Sequence, residues 1–186
     1  MFVGRLHNFV EMTGYCLETF GSALKYTPRA AFRWRSIVRE MWIIGVQSLP
    51  LVSFFLLLVG MVSALQAGIQ MKEYGQEHFL GRLVGMGMVR ELGPWMTSFV
   101  LVARNGSAMA AEIGTMCVSE EVAALRIMSI HPNDFIVMPR LIAFAVMGPV
   151  LTVFGTMVGI LGGMIVKTGQ YDVTKYTFME ELYRGM

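Results

Sequence analysis

The chain has 186 residues, of which 55% are hydrophobic and 15% are charged, and its formal net charge at pH 7 is +2. Soluble domains carry about a quarter charged residues, so this composition favours a membrane protein. The small net charge argues against a nucleic-acid partner, and the wide separation of Cys16 and Cys117 argues against a disulfide framework or a zinc site.

Residues 1–48 predict helices at a membrane surface. Over residues 2–26, apolar side chains recur at roughly helical spacing with charged side chains among them. This pattern is typical of an amphipathic helix that lies on a membrane. An ordinary helix packed against membrane spans is the alternative that the sequence leaves open.

The first membrane span is predicted within a long uncharged run. No charged residue occurs from Met41 to Met71, and Pro50 lies early in that run. A bilayer core needs about 20 apolar residues, so the run is longer than one span requires. We expect an elbow helix near 35–48 followed by a span over 49–71, with one long, kinked and tilted helix as the alternative.

The second predicted span, 83–103, contains charged residues. Arg90 and Glu91 are adjacent, so on a helix they point about 100° apart and cannot pair along one face. Each therefore needs a partner on another helix, a lipid headgroup or water in a cavity. An ion pair that only fixes packing remains equally open. Pro94 removes a backbone donor and is expected to kink the helix there.

Residues 104–139 predict an ordered block that is too polar to insert in the bilayer. A helix rich in small residues comes first, and Ser119 is expected to cap a short second helix whose positive end suits Glu120 and Glu121. The apolar side chains of this second helix recur every three residues, at Val122, Leu125 and Met128. Such a helix can dock in a cleft of a cytosolic protein, and an amphipathic hairpin on lipid is the alternative.

The third predicted span, 141–166, is uncharged. Gly155, Gly159 and Gly163 recur in it every four residues, a pattern that lets helix backbones approach closely in lipid. Glycine is also simply common in membrane helices, which is the alternative reading. The tail, 167–186, carries too many charges for a span.

The distribution of lysine and arginine predicts the orientation in the membrane. Residues 1–40 hold six of them, which places the N-terminus in the cytoplasm. Three spans then place 104–140 in the cytoplasm and the tail outside. The predicted fold is an all-α, polytopic membrane protein with an N-terminal interfacial helix, three transmembrane helices and a short cytoplasmic helix.

The chain lacks the sequence motifs of common enzymes. It contains no Gly-x4-Gly-Lys-Ser/Thr phosphate loop, no HExxH and no GxSxG. Its three histidines, His7, His78 and His131, are far apart in the sequence. We therefore expect neither an enzyme nor a metal or cofactor site on this chain.

Several ordered segments between residues 90 and 140 resemble the MlaE (YrbE) family, the permease subunits of ABC lipid transporters that work with MCE proteins. The matching segments are Arg90-Glu91-Leu92-Gly93-Pro94, Ala103-Arg104 with Gly106-Ser107-Ala108, Ala111-Glu112-Ile113-Gly114-Thr115-Met116, Glu120 with Ala124-Leu125, and Pro139-Arg140. Weaker similarity extends over most of 35–166. As a set these segments are specific, although each alone is weak.

The resemblance implies a homodimeric permease domain, here 1–186, in the inner membrane of a bacterium. It implies a cytosolic ABC ATPase that binds the ATP, a periplasmic MCE-domain protein, in some systems a STAS-domain subunit, and phospholipid or related lipids as cargo. The implied lipid-pathway residues are Arg90, Glu91 and Pro94. The implied ATPase-coupling residues, in a coupling helix, are Glu112, Gly114, Met116, Glu120, Glu121 and Leu125.

The chain also departs from the family pattern. His131 and Cys117 stand where the family usually has an acidic and a basic residue, and Glu121 where it has Gln. Family members continue with further apolar helices after the third span, so we expect either a fragment or an unusually short version. A membrane anchor or assembly subunit that moves no lipid is the main alternative function, and a small channel is disfavoured because few charges lie at membrane depth.

Overall fold

The computed structural model describes residues 11–14, 21, 34–75, 79–128, 132–170 and 180. All regular secondary structure in these ranges is helical, which confirms the all-α prediction. The predicted surface helix over 2–26 and the predicted tail, 167–186, lie mostly outside the described residues.

The helices follow one another as α1 (Trp34–Ile44), α2 (Leu49–Glu73), α3 (Leu80–Gly87), α4 (Gly93–Leu101), α5 (Ser107–Val118), α6 (Glu121–Ile127) and α7 (Met138–Gln170). A 3-10 turn, Val46–Ser48, precedes α2, and π-helical turns occupy Met88–Leu92, Val102–Gly106 and Asn133–Val137. Within the described ranges, two helical stretches are long and apolar enough to cross a membrane, Trp34–Glu73 and Phe135–Lys167. The predicted second span, 83–103, is helical throughout but is not one of these two stretches, because Arg90 and Glu91 interrupt its apolar sequence.

Both ends of α2 follow from local sequence. Pro50 lies in its first turn, where the missing amide proton costs no helical hydrogen bond and the fixed φ favours the helix. The regular α-helix thus breaks ahead of Pro50, a feature common to the predicted elbow and to its alternative, one long kinked helix. At the other end, Gly75 has a φ of +67°, a conformation that glycine adopts without a steric cost. The helix therefore ends in a turn at this glycine.

The chain divides into two compact units. The first unit is made from residues within 1–43 and 109–146, and the second from residues within 44–108 and 147–186. In the first unit, the buried side chains of Ile37 and Met138 pack with Met41 and Ile142.

The second unit is organised by close contact between α2 and α7. The buried residues of α2 recur every four positions, at Val52, Leu56, Gly60, Ala64 and Gly68. A Cβ atom added to Gly60 would lie 1.9 Å from the carbonyl oxygen of Gly159, so the two backbones are in direct contact. An added Cβ at Gly162 would lie 2.4 Å from the carbonyl oxygen of Leu57. Backbone approach of this kind requires small residues on both helices.

The three glycines singled out by the sequence lie along the same contact. A Cβ at Gly155 would lie 3.1 Å from Val52, and one at Gly163 would lie 3.1 Å from Val84 of α3. A Cβ at Gly159 would lie 2.0 Å from the terminal methyl of Met88, which is itself fully buried. The glycine stripe on α7 therefore packs against α2 along its length. It also contacts Met88, the first residue of the π-helical turn Met88–Leu92.

We expect the substitution Gly60→Ala to destabilise the second unit. The added methyl meets a backbone oxygen that cannot move without separating α2 from α7, and overpacking of this kind costs about 1–3 kcal/mol. The measurement is the thermal unfolding midpoint of the purified protein in mild detergent.

Gly148→Ala on α7 is the matched control. No described atom lies within 4 Å of its added Cβ. Because alanine is a better helix former than glycine by about 1 kcal/mol, this variant should unfold at the same temperature or higher. Equal destabilisation of both variants would contradict the close contact.

Candidate functional site

The charged pair of the second helical stretch lies on a π-helical turn. Arg90 and Glu91 fall within Met88–Leu92, and Pro94 follows in the first turn of α4. A π-helical turn holds one residue more than an α-helical turn, and it lies here just before the proline, an arrangement frequent at functional sites. Both charged side chains are exposed, and neither makes an ion pair or a side-chain hydrogen bond within the described ranges. No contact among the described residues thus supports the alternative of a purely structural ion pair.

An apolar groove begins one helical turn beyond this pair. It has a volume of about 400 Å³ and is lined by Pro94, Trp95, Ser98, Phe99 and Val102. Trp95 and Phe99 are 66% and 62% exposed, and their ring centroids are 5.6 Å apart. The hydroxyl of Ser98 donates to the carbonyl oxygen of Pro94, so its polar group is turned back onto its own helix. A charged pair and a wide apolar surface are thus neighbours on one helical stretch.

A second polar cluster lies at the π-helical turn Val102–Gly106. Arg104 donates from Nη1 to the hydroxyl of Ser48, and Asn105 donates from Nδ2 to the same oxygen over 3.4 Å. Ser48 is fully buried and Asn105 is 5% exposed. Ser48 occupies the N-cap position of α2 but makes no capping hydrogen bond there. Its oxygen instead links the end of the α4 stretch to the beginning of α2.

Sequence reasoning missed this second cluster. Ser48 precedes Pro50 in an uncharged run, where a serine is typical of a helix cap. Its partners follow 56 and 57 residues later in the sequence. No local spacing signals such a contact.

The predicted coupling residues lie on two helices. Glu112, Gly114 and Met116 are on α5, whereas Glu121 and Leu125 are on α6. Glu120 connects the helices with a φ of 58° and a ψ of 12°, a left-handed conformation. The single coupling helix implied over 112–125 is therefore a helix, a sharp turn and a second short helix.

The prediction that Ser119 caps the second helix is wrong. The left-handed conformation of Glu120 makes Glu120 itself the N-cap residue of α6, so Ser119 lies one residue outside the helix. The hydroxyl of Ser119 points back to the carbonyl oxygen of Met116, 3.5 Å away. The first turn of α6 is closed by the amide of Ala124, which donates to the carbonyl oxygen of Glu120.

Three of the six predicted coupling residues line a shared groove, whereas Glu112, Gly114 and Glu120 are not among its lining residues. The groove has a volume of about 290 Å³ and is lined by Met116, Glu121, Ala124, Leu125, Met128, Phe135 and Ile136. Gly114 is exposed and has open space around it. Glu112 forms an ion pair with Arg140.

Comparison with known proteins shows similarity over most of the chain. The profile of the family described as Permease MlaE matches residues 37–186. A probable ABC transporter permease protein of Synechocystis is 34% identical over 148 residues, which is 80% of this chain and 56% of the relative. The intermembrane phospholipid transport system permease protein MlaE of Haemophilus influenzae is 35% identical over 144 residues, covering 77% of this chain and 55% of the relative.

A plant protein is also similar. The chloroplastic protein TRIGALACTOSYLDIACYLGLYCEROL 1 of Arabidopsis thaliana is 30% identical over 158 residues, which is 85% of this chain and 45% of the relative. The chain thus spans about half the length of the curated relatives that it matches.

The substitution Ser48→Ala is expected to destabilise the protein. It removes the shared acceptor of Arg104 and the buried Asn105, and an unsatisfied buried donor costs about 1–3 kcal/mol. The measurement is again the unfolding midpoint in detergent. Ser107→Ala is the control, because Ser107 is exposed and its hydroxyl bonds only to carbonyl oxygens of its own helical turn. Equal midpoints for the two variants would show that the buried cluster contributes nothing.

Proposed function

Because the chain belongs to the MlaE permease family, we propose that it is the membrane permease of an ABC transporter that moves phospholipid or a related lipid between inner and outer membranes. The observation that carries this proposal is the exposed pair Arg90 and Glu91 beside the apolar groove at Trp95 and Phe99. The similar protein of Haemophilus influenzae is an intermembrane phospholipid transport system permease, which supports the same cargo.

The proposed topology keeps the predicted spans and orientation. The chain crosses the inner membrane of a bacterium at 49–71, 83–103 and 141–166, with α1 as an interfacial elbow. The N-terminus and 104–139 face the cytoplasm. Charges such as Arg90 and Glu91 are costly at membrane depth unless they face protein, water or a polar ligand. A second copy of the permease would supply that environment, so we include a homodimer in the proposal.

The site suits an amphipathic molecule. Arg90 is a guanidinium that can bind a phosphate oxygen, and Glu91 can accept hydrogen bonds from an amine or hydroxyl of a headgroup. The groove lined by Trp95 and Phe99 offers apolar surface to an acyl chain. Pro94 joins the two parts, because it starts α4 directly after the charged turn.

The groove between α5, α6 and the turn at Phe135 supports the proposed coupling to an ATPase. Its lining is mostly apolar, and it is bordered by the carboxylate of Glu121 with Glu120 at the adjacent turn. An apolar anchor and a basic group on a cytosolic partner would complement this surface. ATP is then bound by the partner subunit, and this chain carries no cofactor. An MCE-domain protein and, in some systems, a STAS-domain subunit complete the proposed assembly.

A photoreactive amino acid at Trp95 should crosslink to phospholipid in native membranes. The yield should change when the partner ATPase is trapped with ATP and vanadate, because a transport pathway opens and closes with the nucleotide cycle. Phe54 on α2 is the control, since it is 60% exposed and is not among the residues that line the groove. Labelling at Phe54 should not respond to nucleotide.

The opposite outcome would favour a membrane anchor. Crosslinking at Trp95 that is absent, or that is as insensitive to nucleotide as crosslinking at Phe54, would contradict a lipid pathway on this face.

Reversing both charges at the turn between α5 and α6, with Glu120→Lys and Glu121→Lys, should lower co-purification of the ATPase. The reason is that like charges across an interface repel and removal of a complementary pair weakens docking. Quantitative co-purification from membranes measures the effect. Glu73→Lys is the matched control, because Glu73 is an exposed carboxylate at the end of α2. Unchanged recovery of the ATPase with the double variant would contradict the coupling assignment.

A further inference from the structure

A cluster of three charged residues joins three helices within the first compact unit. Arg140, in the first turn of α7, donates from Nε to Glu40 of α1 over 3.5 Å and from Nη2 to Glu112 of α5. Arg140 is only 8% exposed. One buried guanidinium thus bridges carboxylates whose positions differ by 72 residues in the sequence.

The chemistry of arginine makes this contact specific in geometry. The guanidinium is planar and always charged, and its donors point along fixed directions, so two carboxylates bound at two of its nitrogens are held at a defined angle. Burial also reduces screening by salt. The third group of donors, on Nη1, is buried and has no hydrogen-bond partner among the described residues. The position of the guanidinium is therefore set by its two contacts with the carboxylates.

The two carboxylates differ in exposure. The side chain of Glu40 is 20% exposed and that of Glu112 is 56% exposed. Glu112 is therefore the outer partner, and its pair with Arg140 turns it toward its own chain. This contact gives Glu112 a role different from the exposed Glu120 and Glu121.

We propose that Arg140 is a positioning residue that locks α5 to α1 and to the start of α7, so that force applied at the α5–α6 groove moves these helices together. Met116 lines that groove one turn after Glu112 on the same helix, which places the lock one helical turn from the proposed ATPase contact. α7 continues from Arg140 to the glycines that contact α2. The inference rests on the proposed function, because it assigns the path by which ATPase motion enters the permease.

The lock is tested by the distance between α1 and α5. Spin labels are attached to Val38→Cys, which is exposed on α1, and to the free exposed Cys117 on α5, with Cys16→Ser removing the other thiol. The full-length protein is measured with its ATPase in lipid nanodiscs, with and without ATP and vanadate. The distance distribution should be narrow in both states, and it should broaden in Arg140→Gln. Glu73→Gln is the control and should leave the distribution narrow.

A second readout measures coupling. In Arg140→Gln the amount of lipid transferred per ATP hydrolysed should fall by roughly 2- to 30-fold, the span of coupling perturbations at residues that touch neither ligand. Co-purification of the ATPase should be retained, since Arg140 does not line the groove. Arg140→Lys should be intermediate, because an ammonium group cannot hold both carboxylates in the same fixed geometry. The effects of Arg140→Gln and Glu112→Gln should be non-additive in the double variant.

The possible outcomes distinguish the positioning role of Arg140 from the proposed transport function. A narrow distance distribution and an unchanged transfer ratio in Arg140→Gln would overturn the lock. If Arg140→Gln fails to fold, the same two measurements are made on Glu112→Gln, which removes only the half-exposed carboxylate. A narrow distribution and an unchanged transfer ratio in that variant would likewise overturn the lock. If the wild-type complex moves no lipid but the distribution still broadens in Arg140→Gln, the transport proposal fails while the positioning role stands.

Discussion

The contact of Gly60 with Gly159 is the constraint on which the second unit depends. Helices in lipid gain little from hiding apolar side chains, because the lipid is equally apolar, and they associate mainly through close packing. At this contact two backbones meet with no side chain between them. The same glycine on α7 makes room for the terminal methyl of Met88, the first residue of the charged π-helical turn. The position of Arg90 and Glu91 therefore depends on a space that only the absence of a side chain provides.

The two π-helical turns of the α3–α5 stretch use their polar residues in opposite ways. At Met88–Leu92 the buried residue is apolar and the charges face outward, free for a ligand or another chain. At Val102–Gly106 the polar side chains turn inward and meet a buried hydroxyl next to α2. The helix between them, α4, is thus fixed at one end through packing and at the other through hydrogen bonds. Its apolar groove is held between these two attachments.

Local features were predictable from the sequence, and pairings between distant segments were not. The interruption before Pro50 and the turn at Gly75 follow from the backbone properties of single residues. The glycine stripe of α7 was visible from its spacing, but a stripe does not name its partner. Gly60 was missed although Gly60, Ala64 and Gly68 show the same four-residue spacing in α2. The pair of Glu112 with Arg140 was missed for the same reason, and Ser119 was misassigned because the left-handed turn shifts the helix start by one residue.

The left-handed turn at Glu120 has a consequence for directed evolution of the protein. A residue with a side chain pays roughly 1–2 kcal/mol to adopt a left-handed backbone conformation that glycine adopts freely. Selection for thermal robustness alone would therefore enrich glycine at this position and erase its carboxylate. Under the proposed contact with an ATPase, a library selected for heat resistance at this position would give up the carboxylate that docks the partner.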